Sequence, residues 1–113
     1  MNTAAWQVFD LQKLIAEAHE GDAAYQEFIH EPTMSCGIYH LKTGSTDMQG
    51  YHDEDEVYVV IEGKGRLRVG GQDQEVKPGA ILYVRASEEH AFFEIEEDMT
   101  MMVMFAAQSG GLR

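Results

Sequence analysis

Short runs of alternating apolar and polar residues, separated by glycine and proline turns, fill the chain after Tyr25. A two-residue period is typical of strands that bury one face. Gly70-Gly71, between two of these runs, is a hairpin signal. Regular short strands joined by glycine turns predict an all-β sandwich or barrel. Strands are predicted over residues 25–30, 34–42, 57–62, 65–69, 74–76, 81–84, 90–95 and 99–105.

A single helix is predicted before the strands, over about residues 10–19. Apolar residues recur there at helical spacing. Asp10 is placed to cap the first turn, with Phe9 and Leu14 packing across the cap. Gly21 is placed to end the helix.

Length and cysteine content indicate one domain in a reducing compartment. The 113 residues fit a single domain spanning 1–113. Cys36 is the only cysteine, so no intrachain disulfide is possible, and a cytoplasmic location is predicted. The N-terminus lacks the pattern of a secretory signal. No apolar run approaches the ~18 residues that span a bilayer.

The charge of the chain argues against polyanionic partners. Its net charge is -12, and its eight basic residues are scattered rather than clustered. Binding to phosphate backbones or anionic membranes needs clustered lysine and arginine. We therefore expect neither a nucleic-acid nor a membrane partner, and a small-molecule ligand or substrate instead.

His52, Glu56 and His90 form the candidate site. Even separations along an extended chain place side chains on one face, so His52, Glu56, Tyr58 and Val60 are predicted to share an interior. His90 opens another strand and can meet them across a barrel. Two imidazoles and a carboxylate are a usual ligand set for a divalent metal with open coordination positions. The sequence therefore predicts a metal site, but it does not distinguish among Fe, Mn, Ni and Zn as the bound ion.

The first of these segments resembles the first motif of the cupin family, G-x5-H-x-H-x3-E-x6-G. Gly44 begins it, and its last histidine, glutamate and final glycine fall on His52, Glu56 and Gly63. The family's first histidine falls on Gly50, which has no side chain. The resemblance therefore implies a reduced ligand set, in which Gln49 or water can supply a weak oxygen ligand.

The second motif of the family, P-G-D followed by H-x3-N, resembles Pro78-Gly79 and His90. Ala80 replaces its aspartate and Glu94 its asparagine. Together the motifs imply a double-stranded β-helix barrel over about residues 34–106, with one short N-terminal helix. The family includes dioxygenases, isomerases and lyases, and fold alone does not choose among them. The resemblance also implies a homodimer.

Other residues have a structural and a functional interpretation. His40 can point inward and join the site, or lie at the surface. Tyr58 or Glu94 can transfer a proton if either reaches the pocket. Cys36 is interpreted as a small buried hydrophobe. No catalytic residue is assigned.

Arginines and methionines have the same two interpretations. Arg66, Arg68 and Arg85 can bind a carboxylate substrate or lie at the surface. In the last strand, Met99, Met101 and Val103 are predicted on one face. Met102 and Met104 are then on the other, in the core or at a dimer face.

Two classes of function remain open at this point. The first is a metal-dependent enzyme acting on a small polar metabolite. The second is a non-enzymatic binding module in which the metal is structural or absent, with His90 a hydrogen-bonded interior histidine. A metal-free epimerase-like cupin would need a His–Asp pair, and the sequence offers no evident Asp partner for His90.

Overall fold

The computed structural model describes residues 5–45, 47 and 53–106. These described residues form one helix and six strands, and all the strand pairs among them are antiparallel. The elements are α1 (Leu11–Glu20), β1 (Tyr25–Glu31), β2 (Met34–Leu41), β3 (Glu56–Val69), β4 (Gln72–Val76), β5 (Ile81–Val84) and β6 (His90–Ala106). Strand order is β1-β2-β6-β3-β4, and β5 pairs with β3. The all-β fold with one short helix is confirmed.

The predicted helix is present with its predicted ends. The Asp10 side chain accepts a hydrogen bond from the Lys13 amide at 3.2 Å, as an N-cap does. Gly21 ends the helix in an extended conformation, and its amide donates to the Glu17 carbonyl. Ile15 and Ala18 are buried on the face turned to the sheet. The amphipathic pattern therefore docks α1 against β2.

Side-chain alternation separates an inner face from an outer face, as predicted. Met99, Met101 and Val103 are at most 2% exposed, whereas Met102 and Met104 are half-buried on the other face. The inner residues form one apolar core: Tyr39, Leu41, Tyr58, Val60, Leu67, Val76, Val84, Phe92, Ile95, Met99, Met101 and Val103. Cys36 is buried, which confirms its interpretation as a small apolar residue.

The breaks predicted near Gly63 and within residues 96–98 are wrong. β3 and β6 each run through, and they remain paired through irregularities between Val60 and Arg66. Gly63 has φ +92, and a Cβ there would lie 2.2 Å from the Asp98 carbonyl oxygen. A glycine that looks like a turn in the sequence therefore lets two long strands bend and cross closely.

Replacing Gly63 by alanine is expected to destabilise the fold by about 2–4 kcal/mol, combining backbone strain with overpacking. Gly79→Ala is the matched control, because Gly79 has φ +93 but no atom within 4 Å of its Cβ position. Urea unfolding measures both variants. Equal losses of stability would show that the contact with Asp98 adds nothing to the strain.

No helix in the described part of the chain is long and apolar enough to cross a membrane.

Candidate metal centre

Two long strands bring a carboxylate, a phenol and an imidazole together inside the barrel. Glu56 begins β3, and Tyr58 follows it two residues later on the same inward face. His90 begins β6. Their exposures are 1%, 1% and 3%, so all three are enclosed among apolar side chains. The predicted meeting of Glu56 and His90 is confirmed, and Tyr58 reaches the same point.

The three side chains bond directly to one another. Tyr58 Oη donates to Glu56 Oε1 at 2.8 Å and lies 3.1 Å from His90 Nε2. His90 Nε2 lies 3.2 Å from Glu56 Oε2. On the other side of the ring, His90 Nδ1 is 3.0 Å from the Glu88 carbonyl oxygen. A carbonyl only accepts, so Nδ1 carries a hydrogen and the ring orientation is fixed.

His90 Nε2 is placed to hold a proton or a metal ion. Tyr58 has one hydroxyl hydrogen and gives it to Glu56, so Nε2 faces two oxygen atoms. A bare nitrogen lone pair would be repelled there, whereas a proton or a metal ion would be held. Burial opposes the charged imidazole, but the pKa of His90 is raised because hydrogen bonds to Glu56 and Glu88 and the charges of Glu56 and Asp47 outweigh it.

A second interior carboxylate, Asp47, was missed by the sequence interpretation. It is 5% exposed. Its Oδ1 accepts from Tyr39 Oη at 2.5 Å, and its Oδ2 accepts from the Phe92 amide at 2.9 Å. Asp47 thereby ties the segment after β2 to β2 and β6. Its position inside the first motif was the available signal, but no spacing rule turned its side chain inward.

Glu56 and His90 supply two ligands suited to a divalent metal, and they fit the donor set such an ion prefers. The Nδ1 bond to the Glu88 carbonyl is the second-sphere contact that metal-binding histidines usually make. Within residues 5–45, 47 and 53–106, no three His, Cys, Asp or Glu side chains are placed to hold a metal. The third predicted ligand, His52, lies outside the described residues, as do Gln49 and Gly50.

His40 does not join this site, because it lies on the opposite face of β2. Its Nδ1 donates to Thr100 Oγ1 at 3.1 Å, and Thr100 in turn donates to Glu62 Oε1 at 2.9 Å. His19, at the end of α1, bonds the same glutamate and threonine at 3.0 and 3.2 Å. Together with Lys42 these groups belong to a polar cluster, called here the outer histidine cluster: His19, His40, Lys42, Glu62, Glu97, Asp98 and Thr100.

Acidification is expected to lower the stability that His40 contributes. Burial, followed by the charge of His19, lowers the pKa of His40 below its usual 6.5. A depressed histidine pKa favours the folded state above pH 6.5, and that contribution is lost as pH falls. Urea unfolding at pH 7 and pH 5 measures this effect. Between the two pH values, the free energy of unfolding should fall less for His40→Asn than for the unmodified chain. An identical pH dependence in both proteins would contradict this assignment.

The remaining candidates of the sequence lie at the surface. Glu94 has a side chain 65% exposed and lies 3.8 Å from Arg66, so of the two conditional proton-transfer candidates it is the one that does not reach the barrel interior. Its φ of +48 marks an irregular position in β6 that turns the side chain outward. Arg68 pairs with Asp73 at 2.7 Å and stacks on the Phe93 ring. Arg85 is exposed.

Comparison with known proteins identifies this architecture. The family model described as "Cupin domain" matches residues 37–106. An uncharacterized protein of Streptomyces coelicolor is 40% identical over 100 residues, which cover 88% of this chain and 95% of that protein. A solved Thermus thermophilus protein superposes with a TM-score of 0.74 at 23% identity, covering 90% of this chain and 98% of the other.

A third match involves a larger protein. The HTH-type transcriptional activator RhaS of Mannheimia succiniciproducens is 33% identical over 87 residues. These cover 77% of this chain but only 29% of the activator. The family model, by contrast, spans most of the barrel and both long strands that build the Glu56–His90 cluster. The chain is therefore a small member of the cupin domain family.

Proposed function

We propose that this chain is a metal-binding cupin that acts as a metal-dependent enzyme on a small polar metabolite. The observation that carries the proposal is the buried Glu56 carboxylate beside His90 Nε2, two donor groups between which a divalent ion could replace the proton. His52, Glu56 and His90 would hold the metal. Bound there, a divalent ion would polarise a substrate oxygen or activate water or O2.

The chain's own residues define what such a site can do. His90 is oriented by the Glu88 carbonyl, and Glu56 by the Tyr58 hydroxyl. Tyr58 Oη holds a proton at the centre of the cluster, and we propose it as the group that would exchange a proton with the substrate. The apolar inner face excludes bulk water, which strengthens each polar contact made inside. The proposed reaction class is dioxygenase, isomerase or lyase.

A calorimetric titration of chelator-treated, tag-free protein with Zn²⁺, Mn²⁺, Ni²⁺ or, under anaerobic conditions, Fe²⁺ tests metal binding. One ion per chain with saturable binding is expected, and His90→Ala should abolish it. His30→Ala is the matched control, because the His30 side chain is 80% exposed and pairs with Glu27. Absence of saturable binding by all four ions would contradict the proposal.

A second candidate is a non-enzymatic small-molecule binding module with a structural or absent metal. The observation that favours it is that Glu56, Tyr58 and His90 already satisfy one another, with a proton able to replace the metal. The match to one part of the RhaS activator also supports it, because such a barrel can serve within a regulatory protein. A ligand that binds tightly and is recovered unchanged would distinguish binding from catalysis.

We further propose that the chain forms a homodimer through the outer face of the sheet. We also propose that the protein is cytoplasmic. Four residues of β3 and β6, namely Val57, Val59, Met102 and Met104, pair across that face. Ile81 and Tyr83 on β5 extend it and are 72% and 63% exposed. Two chains of charge -12 repel each other, so an uncharged apolar face is the surface on which they can meet.

Ile81→Glu combined with Tyr83→Glu is expected to convert the dimer to a monomer, because it would place two carboxylates on each chain inside the proposed apolar interface. Light scattering after size-exclusion chromatography measures the mass. Gln72→Glu is the control, because Gln72 is exposed on β4. A monomer mass for the unmodified protein at micromolar concentration would contradict the dimer.

A further inference from the structure

A groove of about 410 Å³ opens between the β3–β4 hairpin and the loop that leads from β5 into β6. We call it the β4 groove. Its lining combines two apolar side chains of β3 with two amides of β4 and a carboxylate of the loop: Leu67, Val69, Gln72, Gln74 and Glu88. A cavity of this size accommodates a small metabolite.

The β4 groove is an opening of the inner face of the barrel. Leu67 of β3 lies opposite Gln74 of β4, and the next inward pair is Val69 with Gln72. Residues directly opposite each other in an antiparallel pair share a face, so both glutamines are on the inner face. Leu67 belongs to the buried core, whereas both glutamines are exposed. The inner face therefore changes from apolar to amide-bearing where it meets solvent.

The β4 groove is also next to His90. Val69 is the register partner of His90 in β6, so the two side chains share the inner face. On the other side of the groove, the Glu88 carbonyl oxygen lies 3.0 Å from His90 Nδ1. Two residues that line the groove are therefore neighbours of the imidazole in the Glu56–His90 cluster.

The loop side of the β4 groove is held by backbone hydrogen bonds. The Gly70 amide donates to the Glu89 carbonyl at 3.4 Å, and the Glu88 amide donates to the Arg85 carbonyl at 3.2 Å. Ser87 between them has a φ of +71, which is strained for a residue other than glycine. Such strain persists only where the surrounding structure holds it. The groove is therefore formed before a ligand enters, which lowers the cost of binding.

Two amides and one carboxylate give the β4 groove both donors and acceptors. Gln74 Nε2 donates to the Glu75 carbonyl at 3.1 Å, and its amide oxygen is then the part that accepts. Glu88 is half-buried, and its Oε1 lies 3.7 Å from the position that a Cβ would take at Gly70. The carboxylate therefore lies against the hairpin turn, on the same side as the amides.

A molecule with several hydroxyl groups matches these polar groups. A hydroxyl both donates and accepts, so it bonds an amide N–H and a carboxylate equally well. An anion would be repelled by Glu88 and by the net charge of -12. An ammonium group only donates, so it offers no acceptor to the amide N–H groups. Asp73 also lines the groove, but its carboxylate is paired with Arg68 at 2.7 Å.

We propose that the β4 groove is a binding subsite for an uncharged, hydroxyl-rich small molecule, that is, a polyol or a sugar. Its hydroxyl groups bond to Gln72, Gln74 and Glu88, and its C–H groups pack on the apolar floor. The proposal rests on the proposed function in one respect, since the groove would bring this molecule beside the Glu56–His90 cluster. Recognition by the amides itself requires no metal.

NMR titrations of isotope-labelled protein with xylitol and with glucose test the proposal, and glutarate is the anionic comparison. The side-chain amide signals of Gln72 and Gln74, assigned from the single alanine variants, should shift and saturate with xylitol or glucose. Glutarate should leave them unchanged. These shifts locate the bound molecule as well as detecting it.

The double variant Gln72→Ala/Gln74→Ala should weaken polyol binding about tenfold, measured from the saturation-transfer signals of the ligand, because two hydrogen-bonding amides are lost. A tenfold change corresponds to about 1.4 kcal/mol. Gln12→Ala is the matched control, because Gln12 is exposed on α1, which packs against β2. It should leave the affinity unchanged.

No saturable binding of xylitol or glucose to the unmodified protein would overturn the proposal. Unchanged affinity in the double variant would do the same, as would tighter binding of glutarate than of both polyhydroxyl probes. Thermal unfolding shows whether the double variant is folded. If it is not, the unmodified protein still decides, because saturating shifts that bypass the Gln72 and Gln74 amides would place the ligand elsewhere.

Repeating the titrations after chelation separates this proposal from the metal centre. Xylitol or glucose binding should persist when the metal has been removed. A protein that binds these probes but no metal would therefore remove the proposed metal chemistry alone. A protein that binds metal but neither probe would remove the β4 groove subsite alone.

Discussion

Replacing Glu56 by alanine is expected to lower the free energy of unfolding by roughly 3 kcal/mol, because it removes the buried carboxylate that accepts from Tyr58 and lies beside His90. Glu56 is 1% exposed and lies 3.2 Å from His90 Nε2. Because the site is closed to solvent, bulk water does not replace the lost carboxylate. Urea unfolding at pH 7 measures the loss. Glu75→Ala is the control, since that side chain is 53% exposed and should change stability by less than about 0.5 kcal/mol.

The double variant Glu56→Ala/His90→Ala gives the coupling between the two residues. Once both partners are absent, no charge is left unpaired, so the double variant should lose less stability than the sum of the single variants. A coupling of at least about 1 kcal/mol is expected for groups in direct contact. Strict additivity would show that the contact between Glu56 and His90 contributes nothing to the fold.

Metal addition is the second large effect. A metal that binds only the folded chain stabilises it by about 2.7 kcal/mol at a concentration of one hundred times its dissociation constant. For a domain of this size that corresponds to a rise in Tm on the order of 10 °C. Differential scanning calorimetry of chelator-treated, tag-free protein should show this rise, and His90→Ala should not.

The outer histidine cluster provides the control for this experiment. His19 Nε2 lies 3.0 Å from Glu62 Oε1 at the surface, where added metal can bind without using the barrel interior. His19→Ala should therefore retain the full rise in Tm. If His19→Ala abolished the rise and His90→Ala retained it, the stabilising ion would be bound at the surface, contrary to the proposal.

The sequence predicted those parts of the fold that depend on local patterns. Asp10 caps α1, and the alternation along β6 buries Met99 and Met101 while leaving Met102 on the outer face. Glu56 and His90 meet because each begins a strand on an inward position, which a two-residue period predicts.

Features that depend on irregular backbone were not predictable from alternation. Gly63 reads as a turn, but its positive φ allows β3 to bend against Asp98 and continue. Glu94 turns outward because β6 is irregular there. A single extra residue reverses the face of every following side chain, so a period alone cannot place such positions.

Two interior contacts depend on side chains that meet only in three dimensions. Asp47 bonds Tyr39 and the Phe92 amide, partners 8 and 45 residues away in the chain. Tyr25 occupies space that Gly37 leaves open on the next strand. Neither relationship follows from spacing within one segment. The outward direction of His40 likewise depends on a distant partner, because its ring bonds to Thr100 on the neighbouring strand.

Metal content of the purified protein is the most direct test of the metal centre. The measurement is inductively coupled plasma mass spectrometry on tag-free protein beside the His52→Ala/His90→Ala variant. We expect close to one Fe, Mn, Ni or Zn ion per chain in the unmodified protein and none in the variant. The identity of the metal separates oxygen chemistry from Lewis-acid chemistry. No metal in the unmodified protein, even after reconstitution, would contradict the proposed metal centre and leave a proton as the cation that His90 holds.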